Sequence, residues 1–216
     1  MEFSDKIRIQ AIGNLLQYYE SDLEYFKRFK LFREGRIKPK MYLSKNPGMF
    51  QAFINEYRVA RNVKASKRHD LLVKIRKWVK KKKADDVDAL AESIKNMTFQ
   101  KTMISLSSKI LFLNNPARIV PCDRLNRMAL GLEKEKEYSA FDAKIQKLRE
   151  EQRSLFQEWL LPVMRYLNTI ESGLSGELKD VETIRLNRFI DKLLWMKGLD
   201  LSRNQDNVSD YDDKHN

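Results

Sequence analysis

The chain has 216 residues, 42% hydrophobic and 10% aromatic, which is long enough to bury a core and too apolar for a disordered polymer. A single cysteine, Cys122, excludes an internal disulfide and a Cys-rich metal site, and two histidines, His69 and His215, argue against a zinc centre or a His-based triad. The net charge of +12 lies in the N-terminal part: residues 1–83 carry 22 Lys/Arg against 8 Asp/Glu, residues 84–216 carry 20 against 22, and a segregated basic surface points to a polyanion.

The opening MEFSDKIRIQ has no basic stretch leading into an apolar one, and no apolar run approaches spanning length. The expectation is a reduced, cytoplasmic protein without a signal peptide or membrane partner.

In chain order, residues 5–33 read as a helix, with Ile9, Ile12, Leu16, Tyr19, Leu23, Phe26 and Phe29 recurring at three or four. EGRIKPKMYLSKNPG breaks that pattern. A second helix is expected over 48–63, with Phe50, Phe53, Ile54 and Tyr57 inward. Ser66 can cap a third, whose apolar stripe is Leu71, Leu72, Ile75, Trp78 and Val79. Its other faces carry Lys74, Lys77, Lys80, Lys81, Lys82 and Lys83. Cations at a helix end suit the dipole, but four in a row exceed what capping needs, and these lysines are the expected phosphate contacts. His69 reads as a solvated residue at a helix start.

Asp85 and Asp86 are expected to cap a short helix with Val87, Leu90, Ala91, Ile94 and Met97 inward. The next helix spans 99–113. Asp123 stands at the N-cap of RLNRMALGL, which Gly131 ends. Residues 138–170 are strongly periodic, and Pro162 should kink or divide them near Leu160. The last helix is expected over 177–197, closed by Gly198, with a polar, disordered tail beyond it. Seven to nine helices and no convincing strand give an all-α, compact multi-helix fold. It divides into a basic N-terminal region (1–83), a helical core (84–200) and an acidic tail (201–216), with the first two as one globular unit.

No Gly-rich phosphate loop, HExxH or GxSxG occurs. The remaining candidate for chemistry is Lys109 with Asp123. Lys109 sits in an apolar helix, where partial burial favours a neutral amine able to attack an aldehyde-like carbon. A helix-capping Asp123 is a fixed carboxylate suited to a cationic sugar transition state. The plainer alternative is a snorkelling lysine and an ordinary cap. Trp78, Trp159 and Trp195 fit core packing, and no base pocket is assigned to them.

The stretch SSKILFLNNPARIVPCDRLNRMAL resembles the core of helix-hairpin-helix DNA glycosylases, specifically the diverged bacterial 8-oxoguanine-glycosylase-like proteins. There a Ser-Lys pair opens an apolar helix, and a proline-containing loop leads through an aliphatic–Pro–X–Asp turn into the next helix. The matching positions here are Ser108 and Lys109, Pro116, then Val120, Pro121, Cys122 and Asp123. RFIDKLLWMKG also resembles the closing helix of such proteins. The resemblance implies a helix-hairpin-helix fold, Lys109 as Schiff-base nucleophile and Asp123 as the group assisting base removal. No metal or cofactor is expected. Where the family carries glycines before the lysine, this chain reads SLSS, so Ser105, Ser107 and Ser108 are the expected hydroxyl donors to a phosphate. Three functions follow as expectations: a DNA glycosylase with abasic-site lyase activity, a non-catalytic module binding DNA (or RNA) on the same fold, or a structural protein binding an acidic partner.

Overall fold

The computed structural model describes residues 1–81, 84–173 and 178–212, with side chains as far as Asn204. Among the described residues there is no strand. The helices are α1 (Asp5–Glu34), α2 (Pro39–Tyr42), α3 (Phe50–Glu56), α4 (Arg68–Trp78), α5 (Val87–Ser93), α6 (Ile104–Asn114), α7 (Arg124–Ala129), α8 (Tyr138–Leu160), α9 (Met164–Ser172) and α10 (Val181–Asp212). Short 3-10 turns join several of them. The fold class is therefore all-α, as the periodicity predicts. No helix among the described residues is long and apolar enough to cross a membrane.

The two long helices, α1 and α10, pack on each other. α7 lies against α10, and α6 against both α1 and α5. α1 begins at Ser4, whose hydroxyl accepts from the Ile7 N–H, and stops at Gly35. Gly35 has φ 87°, a left-handed conformation that a Cβ disfavours, and the following Arg36 N–H closes onto the Leu31 carbonyl. The face of α1 that is buried runs through Ile7, Ala11, Leu15, Tyr19, Leu23 and Phe26. The predicted stripe instead starts at Ile9, which is 62% exposed. Both choices have helical spacing, so the helix packed opposite decides between them.

An aromatic run ties the basic N-terminal region to the rest. Phe32 stacks on Tyr42 with centroids 4.6 Å apart, Phe53 lies 4.4 Å from Tyr57, and Phe26 meets Phe112 of α6 edge-on at 4.8 Å. Regions 1–83 and 84–200 thus share one apolar core rather than two.

Four local expectations change. The helix predicted over 48–63 stops at Glu56, because Arg58 turns left-handed with φ 54° and only a 3-10 turn follows at Ala60–Asn62. The one predicted over 99–113 starts at Ile104, because Phe99 and Gln100 also have positive φ. Ser66 lies within a 3-10 turn and does not cap α4, which begins after Lys67 without a side-chain cap. Gly198 does not close the last helix. α10 passes through it to Asp212, so the tail predicted from 201 is helical over most of its length. Gly198 serves a different purpose: a Cβ there would fall 2.6 Å from the Leu125 carbonyl carbon and nearer still to its oxygen. Only glycine lets α10 approach the α7 backbone that closely.

Candidate active site

Three other local readings hold, and they build the site. Asp123 caps α7, its Oδ1 accepting from the Asn126 N–H at 3.1 Å. Gly131 ends that turn, and Pro162 divides α8 from α9. The loop between α6 and α7 is pinned from three sides. The Ser108 hydroxyl accepts from the Cys122 N–H at 3.0 Å, Tyr138 bridges both backbone groups of Val120, and Asn187 of α10 donates to the Pro116 and Ala117 carbonyls. Buried polar groups partnered in this way specify one loop conformation.

That conformation closes the fourteen-residue gap between Lys109 and Asp123. Lys109 Nζ lies 3.5 Å from Asp123 Oδ2, and the two side chains are 9% and 23% exposed. Nζ also donates to the Tyr57 carbonyl at 3.1 Å. This carbonyl is at the C-terminal end of α3, where the turn at Arg58 leaves it unused by the helix. The strained backbone at Arg58 therefore has a local consequence: it supplies the second acceptor for Lys109.

Lys109, Asp123 and Ser105 line one cleft of about 560 Å³. Behind it lies a buried charge network. Arg188, 1% exposed, donates from Nε to Asp22 at 2.7 Å and from a terminal nitrogen to Asp191 at 2.6 Å. Tyr57 donates a short hydrogen bond to Asp22, and Asn126 donates to Asp191 at 2.8 Å. Burial opposes the Arg188 charge, but Asp22, Tyr57 and Asp191 more than offset it and hold its pKa above the ordinary value. Burial, chiefly, pushes the Tyr57 phenol well above its ordinary value. The network joins α1, α10, the end of α3 and α7, and so fixes the elements that carry Lys109's carbonyl partner and Asp123.

A second amine faces the same cleft. Lys192 of α10 lies 4.7 Å from the Tyr18 ring centroid. Burial, then the neighbouring Arg188 charge, push its pKa down to about 8, against the opposing pull of Asp22, Asp191 and Glu56. Tyr18, Tyr57 and Trp195 give the cleft aromatic surface, and Arg58, Arg61 and Arg124 give it cations.

The predicted phosphate contacts fare unevenly. Ser105 lines the cleft. Ser107 and Ser108 are fully buried, so their hydroxyls cannot reach a phosphate, and Ser108 works as the loop staple described above. Lys74 is half-buried and donates to the Ser93 carbonyl, tying α4 to the end of α5 instead of facing a ligand. Lys77 and Lys80 are exposed as expected, and Lys81 lies 4.4 Å from the Trp78 ring. Lys82 and Lys83 lie outside the described residues. Lys80 joins Lys38, Lys40, His69 and Arg76 along a second, shallow cleft of about 500 Å³ with no carboxylate in its lining among the described residues. No cluster of metal-ligating side chains occurs among the described residues. Cys122 is buried, and burial pushes its thiol up to about 12, which leaves it inert as a nucleophile near neutral pH.

Trp195, assigned to the core from its spacing, borders the cleft, whereas Trp159 packs among Phe3, Phe156 and Phe189. Sequence reading also misses Asp22, Arg188, Asp191 and Lys192. A signal is present: Arg188, Asp191 and Lys192 stand at i, i+3 and i+4 in an otherwise apolar stretch of helix, and charged residues in such a stripe need partners. No protein-family model, curated protein or solved structure matches this chain.

Proposed function

We propose that the cleft is a DNA base-excision site, in which a flipped nucleotide loses its base through Lys109 and Asp123. The observation that carries this reading is the placement of amine and carboxylate 3.5 Å apart, both poorly exposed, on a cleft of nucleotide scale. The resemblance of the Lys109–Asp123 segment to helix-hairpin-helix glycosylases agrees with it.

In this reading the C1′–N bonding pair leaves with the base. The Asp123 carboxylate faces the positive charge that develops on the sugar, and Lys109 Nζ forms the new C1′–N bond. Its proton goes to the departing base. Tyr18 and Trp195 offer aromatic surface against which a flipped base can rest. Arg58, Arg61 and Arg124 suit flanking phosphates.

The test is base release from duplex oligonucleotides carrying single modified bases. Lys109→Gln and Asp123→Asn should each lower the single-turnover rate by about 100-fold or more. Equal release by wild type and Lys109→Gln would sink the lysine assignment.

A second reading rests on the other cleft. Lys38, Lys40, Arg76 and Lys80 line it without a carboxylate, which fits a nucleic-acid-binding module that does not cleave. Salt-sensitive DNA binding, unchanged in Lys109→Gln and without base release on any substrate, would favour that reading.

A further inference from the structure

The cleft holds two lysines in opposite circumstances. Lys109 commits its Nζ to two fixed acceptors, the Asp123 carboxylate and the Tyr57 carbonyl. Lys192 makes no ion pair within 4.0 Å among the described residues, although Asp22, Asp191 and Glu56 all stand near it. The reason lies in the charge network. Asp191 on its own helix and Asp22 on α1 are both taken by the buried Arg188 guanidinium, and Asp22 by Tyr57 as well. Glu56 at the end of α3 is taken by the Tyr25 hydroxyl at 2.7 Å and by Ser21. What remains for Lys192 is the Tyr18 ring, whose face favours a cation but accepts no proton.

We propose that Lys192 is the aldehyde-capturing amine of this cleft, forming an imine with a carbonyl carbon bound beside Lys109 and Asp123. The nitrogen lone pair bonds the carbonyl carbon, and the π pair moves to oxygen. The two hydrogens of the amine end on that oxygen, which departs as water and leaves C=N. The Lys192 pKa near 8 agrees with this geometry, because a useful fraction of the amine is neutral near physiological pH. On the base-excision reading above, water displaces Lys109 from C1′ and returns a hydrogen to its Nζ, and the aldehyde is the ring-opened deoxyribose then left at the abasic nucleotide. Base release then belongs to Lys109 and Asp123, and capture of the product sugar to Lys192. The choice of sugar rests on that reading, whereas the reactivity of the amine does not.

Two probes on the full chain separate them. The first is a duplex with a preformed abasic site, trapped with cyanoborohydride, the adduct mapped by peptide mass spectrometry. Wild type should trap, Lys192→Gln should lose at least tenfold, and the adduct should map to Lys192. The second is propanal with cyanoborohydride at pH 7 on wild type, read as labelling rate per lysine, which needs no variant to fold. Lys192 should label at least tenfold faster than Lys109. If propanal selects Lys192 but abasic DNA is not trapped, the amine assignment stands and the base-excision reading falls. If abasic DNA is trapped at Lys109 and Lys192→Gln traps like wild type, the Lys192 proposal is overturned and base excision survives. Labelling of Lys192 no faster than Lys109 overturns it as well.

Discussion

The floor of the cleft and the outer faces of α4 are both rich in charge and hold it in opposite ways. On the floor, Arg188 is almost wholly buried, and each of its neighbours is engaged by a named partner. On α4 and the turn after it, Lys77 and Lys80 project into solvent, and Lys81 rests on a tryptophan. Buried charges lose their hydration and must be paired, so they rigidify whatever they join. Exposed charges keep their hydration and remain available to a diffusing partner. The first arrangement suits a preorganised reaction site. The second suits attraction of a polyanion.

Breaking the floor should have the largest effect. Arg188→Met leaves Asp22 and Asp191 buried without their cation, and urea unfolding should show a loss of about 3–5 kcal/mol. On the base-excision reading, base release should fall with it, because α1, α3, α7 and α10 lose their common tie. A smaller, uncharged disturbance to the same region is Gly198→Ala. Its Cβ would meet the Leu125 backbone, which can yield only by moving α7 off α10, at a cost of about 1–3 kcal/mol in urea unfolding.

Titration probes the same floor without a substitution. The Lys192 pKa is lowered from 10.5 to about 8 in the folded chain, so between those values the unfolded chain binds more protons than the folded one. Stability should therefore rise with pH across that window, with the penalty fully present below about 8 and gone above about 10.5. Chemical denaturation between pH 7 and 10.5 checks this, and Lys192→Met should flatten the rise. On the outer surface, charge reversal at Lys77 and Lys80 should leave stability within about 0.5 kcal/mol of wild type. The same reversal should weaken binding to an unmodified DNA duplex. The slope of log affinity against log salt should become shallower by roughly 0.9 for each phosphate that is no longer neutralised. Unchanged DNA affinity would remove α4 from the polyanion argument.

Which parts are legible in the sequence follows from the range of each signal. Asp123 as a cap, Gly131 as a stop and Pro162 as a divider depend on residues within one turn, and each appears where its local chemistry requires. The end of α3 is not legible, because Phe50, Phe53, Ile54 and Tyr57 keep helical spacing through the place where Arg58 turns the chain. Gly198 misleads because a glycine that ends a helix and one that lets another backbone approach look alike until the second helix is in place. Position alone assigns Ser107 and Ser108 to a ligand, but the face of α6 that bears them is buried.

By itself the sequence determined an all-α chain, the helix carrying Lys109, the cap at Asp123 and the charge imbalance, since each depends on composition or on residues a few positions apart. Only the tertiary structure decided that Lys109 and Asp123 meet, that Asp22 and Arg188 pair across a separation of 166 residues, and that this pairing leaves Lys192 without a carboxylate partner among the described residues. Burial and partnership arise between distant segments, and no local pattern records which amine the fold will leave unpaired.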